Sequence, residues 1–91
     1  MAQKEIIKMT NEVFEEAFEI ESQKLTPEAN IFNDLGLDSL DVVDLVVALQ
    51  KKFGVQIRND ERVRNIRTLG DIYGFIDALG EENKLSLPRE N

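Results

Sequence analysis

Apolar residues recur at helical spacing in three stretches of the chain, and between them the rhythm lapses. In the first stretch Ile6, Met9, Val13, Ala17 and Ile20 fall on one face, with Ile7, Phe14 and Phe18 beside them. Glu12, Glu15, Glu16 and Glu19 take the other faces, so an amphipathic helix is predicted over residues 4–20. The second stretch is the strongest. At about 100° per residue, Val42, Leu45, Val46, Leu49 and Phe53 gather within a third of the circumference. Leu40, Val43 and Val47 form a second, narrower stripe outside it. Asp38 is placed to cap the start of this helix, over residues 39–53, and Gly54 to stop it. In the third stretch Thr68 serves as N-cap. Leu69, Ile72, Tyr73, Ile76 and Leu79 make one apolar face, and Gly80 is expected to end it. One or two short helical turns are expected over residues 59–64.

Residues 21–37 lack the pattern. Pro27 and Gly36 punctuate them, and Thr26, Asn30, Asn33 and Asp34 supply turn chemistry. A loop this long is uncommon in a small domain and often functional. Ile31, Phe32, Leu35 and Leu37 are expected to pin it to the core. The fold class that follows is all-α: a four-helix bundle of three longer helices and one short one, with a long loop between helices one and two. Residues 1–80 form a single domain on this reading. Residues 81–91, polar and containing Pro88, form a flexible tail.

Composition narrows the function. The 91 residues suffice for one domain with a modest core. Cysteine and histidine are both absent, which excludes disulfides, a Ser-His-Asp triad and histidine-ligated metals within this chain. The net charge of −7 argues against nucleic acid as a partner and for basic proteins. The charge is unevenly placed: residues 1–49 hold 11 acids and 3 bases, whereas residues 50–67 hold 6 bases and 2 acids. The opening MAQKEIIKMT has no long apolar run, so neither a signal peptide nor a membrane span is expected, and the cytoplasm is the expected location.

The informative run is Asp34-Leu35-Gly36-Leu37-Asp38-Ser39-Leu40-Asp41. Ser39 falls in the first turn of a helix after a long loop, where its hydroxyl is open to another protein. A phosphate ester there faces the positive end of the helix dipole and free backbone N–H groups, which favour a negative charge by about 0.3–1 kcal/mol. Asp38 and Asp41 oppose it unless a cation is present. Asp34, Asp38 and Asp41 lack the spacing of a calcium loop, because Leu35, Leu37 and Leu40 interleave them, and no metal site is expected.

The run DLGLDSLDVVDLVVAL and the KKFGVQI segment after it resemble the acyl carrier proteins, over about residues 25–79. The resemblance implies 4′-phosphopantetheine, derived from coenzyme A, bound covalently to Ser39, with Asp38 and Leu40 as motif neighbours. It implies acyl groups held as thioesters on the arm, and a carrier that is a substrate for enzymes rather than an enzyme. The implied partners are a phosphopantetheinyl transferase and the acyl-loading and elongation enzymes of fatty-acid or related lipid or polyketide synthesis, met by a monomer. Leu40, Asp41, Asp44, Val47 and Lys51, along one side of helix two, become the expected docking face. Val46, Leu49, Ile66 and Ile72 become the expected shelter for an acyl chain.

The sequence departs from that family in three places. Gln50, Lys51 and Lys52 stand where glutamates are usual, residues 57–67 are basic and one residue longer, and Gly74 replaces a helix former. A specialised carrier, poorly suited to housekeeping enzymes, fits the basic segment; so does surface drift. An aminoacyl or peptidyl carrier using the same Ser39, or an unmodified helical adaptor, are the alternatives left open.

Overall fold

The computed structural model describes residues 3–57 and 60–82. Three α-helices organise them: α1 (Gln3–Phe18), α2 (Ser39–Phe53) and α3 (Leu69–Glu81). Two 3-10 segments, Ser22–Lys24 and Glu61–Asn65, lie in the connections. A fourth α-helix is absent among the described residues: the short helix expected over 59–64 is the 3-10 segment, and Asn59 falls outside the described residues.

Helix α1 packs against both α2 and α3. It ends two residues before the expected Ile20, because Glu19 turns into the left-handed region at φ 55° and the Ile20 N–H reaches back to the Phe14 carbonyl at 3.2 Å. Ala17 is consequently exposed, while Thr10, a polar residue the apolar pattern passes over, is fully buried. Helix α2 closes as expected. Gly54 adopts φ 61°, and the N–H groups of Gly54 and Val55 both reach the Gln50 carbonyl. Helix α3 runs through Gly80 to Glu81, one residue past its expected end. The expected tail beyond residue 82 lies outside the described residues.

The connection between α1 and α2 is more ordered than a single long loop. The Ser22–Lys24 turn interrupts it, and Asn30 forms an isolated antiparallel bridge with Thr68. Ile31 N–H donates to the Arg67 carbonyl at 2.8 Å, Leu69 N–H to Ala29 at 3.1 Å, and Gly70 N–H to Pro27 at 2.9 Å. These bonds tie the loop to the start of α3. Its backbone donors and acceptors thus find partners away from water. Leu25, Ala29, Ile31 and Leu37 are buried and join the core made by Ile6, Phe14, Leu45, Leu49, Phe53, Ile72, Ile76 and Leu79. Polar contacts also join the elements: Lys52 pairs with Glu12 at 2.9 Å, the buried Tyr73 donates to Asn11 at 2.6 Å, and Arg62 bridges Asp60 and Glu82.

Candidate functional site

Local chemistry sets up the turn before Ser39. The Asn30 side chain accepts from the N–H groups of Phe32 and Asn33, and the Asp34 carboxylate accepts from Asn30 N–H at 2.8 Å. Gly36 then takes φ 77°, where a side chain is strained, and Leu37 N–H returns to the Ile31 carbonyl. Asp34 and Gly36 of the informative run therefore shape the loop that delivers the chain to α2.

Ser39 is the first residue of α2 and is exposed. The helix start is a reciprocal box. Asp38 Oδ1 accepts from Leu40 and Asp41 N–H, both at 2.9 Å, while Asp41 Oδ2 accepts from Asp38 N–H at 3.0 Å. Two of the backbone donors expected to greet a phosphate are thus already held by Asp38. Among the described residues no three acidic side chains gather as metal ligands.

Beside Ser39 opens a cavity of about 220 Å³ with an almost wholly apolar lining. Val46, Leu49 and Ile66, three residues expected to shelter a chain, line it. Ile72, the fourth, does not; it is fully buried in the core on α3. Val42 and Leu45 of the α2 stripe line it too, but other lining residues were not expected there. Ile31 and Phe32 come from the loop, Phe75 from α3, and Ile57, Val63, Arg64 and Arg67 from the segment before α3. No regular period runs through residues 57–67, so only the short apolar intervals between charges hinted at an inward face.

Of the expected docking residues, Leu40 and Val47 are 76% and 43% exposed, with Val43 between them at 60%. Asp44 and Lys51 are exposed as well, whereas Asp41 is half-buried and engaged in the box. The basic segment is less free than its sequence implies. Lys52 is held by Glu12, whose hydrogen bond raises the Lys52 pKa and lowers its own. Arg62 is held by Asp60 at 2.7 Å and Glu82 at 2.8 Å and lies 5.2 Å over the Phe75 ring. Gln50 accepts from Ile57 N–H at 2.8 Å and so fastens the chain after α2.

Ser39 thus stands exposed at a helix start beside an apolar cavity, and no partner of its hydroxyl is found among the described residues. Comparison with known proteins gives the family. The family description for a phosphopantetheine attachment site matches residues 11–76. Acyl carrier protein 2 of Ralstonia nicotianae is 39% identical over 79 residues, covering 87% of this chain and 96% of its own. The meromycolate extension acyl carrier protein of Mycobacterium bovis is 41% identical over 83 residues, covering 91% of this chain and 71% of its own. A solved acyl carrier protein from Enterococcus faecalis superposes with a TM-score of 0.68 at 29% identity, covering 86% of this chain and 98% of that one. The chain belongs to the acyl carrier proteins, and its cofactor is 4′-phosphopantetheine.

Proposed function

We propose that Ser39 is the attachment residue and that the protein carries acyl groups for lipid synthesis. The observation that carries this reading is the exposed Ser39 at the mouth of the apolar cavity. When bound, phosphopantetheine supplies a terminal thiol that holds an acyl group as a thioester. The chain's own residues do the rest. Asp38 and Asp41 lock the first turn of α2, so the Ser39 hydroxyl is presented at a fixed place. Val46, Leu49, Ile66 and Phe75 offer an apolar wall to an acyl chain. Leu40, Val43 and Val47, ringed by Asp44 and Lys51, offer a partly apolar face to partner enzymes. Catalysis belongs to those partners, and this chain is their substrate. Residues 1–80 act as one carrier domain.

Incubation with coenzyme A and a phosphopantetheinyl transferase of broad specificity should add one arm, read by intact mass. Ser39→Ala should block the addition and leave the circular dichroism unchanged, because the side chain is exposed. Addition persisting in Ser39→Ala would remove Ser39 from the account, and failure of the unaltered chain with several transferases would favour a helical adaptor.

A further inference from the structure

A phosphodiester on Ser39 introduces a negative charge where the protein is already acidic. Asp38 and Asp41 flank the position, and Asp44 follows one turn on. The helix start offers reduced compensation, because Asp38 Oδ1 already accepts from Leu40 and Asp41 N–H. A cation from another element would add to it.

Two arginines, Arg64 and Arg67, contribute to the wall of the cavity beside Ser39, whose lining is otherwise apolar. Arg67 is committed to the backbone: its guanidinium donates to the carbonyls of Arg64 at 2.8 Å and Ile66 at 2.9 Å and lies 6.0 Å over the Phe32 ring. Arg64 is exposed, and no carboxylate or carbonyl among the described residues engages its side chain. Its backbone is well placed, because Arg62, two residues earlier, is fastened to Asp60 and Glu82. An exposed arginine on an anchored segment, whose side chain lines the same cavity as Ser39, is suited to a phosphate: its planar fork matches two phosphate oxygens at once.

We propose that Arg64 is a positioning residue that grips the phosphodiester of the arm on Ser39 and holds it against the mouth of the apolar cavity. The proposal rests on Ser39 being the attachment residue. Releasing the grip frees the arm to reach a partner's active site, and closing it turns the arm toward the cavity wall.

The test uses the full chain before and after loading, with intact mass confirming the loading. The Arg64 Nε–H resonance should shift on loading, and its hydrogen exchange should slow about two- to fivefold, the span of one partly exposed ion pair. Both effects should vanish near ~1 M salt, where the screening length falls to about 3 Å. The phosphorus resonance of loaded Arg64→Gln should move toward that of a free phosphopantetheine diester, and Arg64→Lys should restore part of the difference. Loading confirmed by mass, with the Arg64 and phosphorus signals indifferent to each other, would overturn the grip and leave Ser39 standing. Failure to load would overturn both.

Discussion

Two glycines one turn apart in α3 sit in different surroundings. A Cβ on Gly70 would meet the Pro27 carbonyl oxygen at 3.1 Å, on the strand of loop that Gly70 N–H itself binds. A Cβ on Gly74 would meet nothing within 4 Å, and the residue is exposed. Gly74→Ala should therefore stabilise the protein by about 0.4–1 kcal/mol, through the unfolded chain's lost freedom and the better helix propensity of alanine. Gly70→Ala should gain less or lose stability, because a backbone oxygen has to move. Urea denaturation of both variants decides the matter. Equal gains would show that the loop does not press on α3. By helical angle Gly70, Gly74 and Ala78 share one side of α3, and only the path of the loop separates close approach at Gly70 from open space at Gly74.

At the scale of the element, the start of α3 carries a pH dependence. The Asp71 carboxylate accepts from the N–H groups of Arg67 at 2.9 Å and Thr68 at 3.1 Å. The Arg67 N–H bond above all holds its pKa below the ordinary 3.8, with Thr68 assisting and burial opposing. A pKa lower in the folded state than in the unfolded one means stability that is fully present above the unfolded value. It is lost as pH falls from about 3.8 through the folded value. Asp71→Asn should flatten this part of the stability profile below about pH 3.8 while keeping an acceptor for the same N–H groups. An unchanged acid limb in thermal melts would mean that the box does not report on folding. Both reciprocal boxes were half legible beforehand. Asp38 and Thr68 read plainly as N-caps, but their partners Asp41 and Asp71 emerge only once the helix start is known to the residue. The end of α1 was less legible still, since the sharp turn at Glu19 uses a residue type with no preference for positive φ.

For the whole molecule, the amphipathic helices revealed the all-α class, and the run around Asp38-Ser39-Leu40 pointed to the family. The cavity and the charge pairs were hidden, because they depend on which elements meet. Residues 50–67 show this most clearly. In sequence they are a basic block facing partners, yet Lys52 is paired with Glu12 and Arg62 with Asp60 and Glu82. Arg58 lies outside the described residues. Replacing Lys52 by glutamate would set two carboxylates against each other and confuse docking with stability. Lys51, exposed and close to Val47 on α2, is the cleaner probe. If partner enzymes present basic docking patches, Lys51→Glu should speed elongation of the acylated carrier by a factor of about two to five at low salt, the size expected of one exposed charge. The gain should disappear at high salt. Equal rates at low salt would show that Lys51 does not govern partner choice.

The central claim is a covalent arm on Ser39, and the most direct measurement is intact mass with fragment sequencing on the protein purified from its native source. The account predicts a population heavier than the bare chain by one phosphopantetheine, with or without an acyl group, and every fragment that carries the extra mass should contain Ser39. A population consisting only of the bare chain, or an arm located on any other residue, would contradict it.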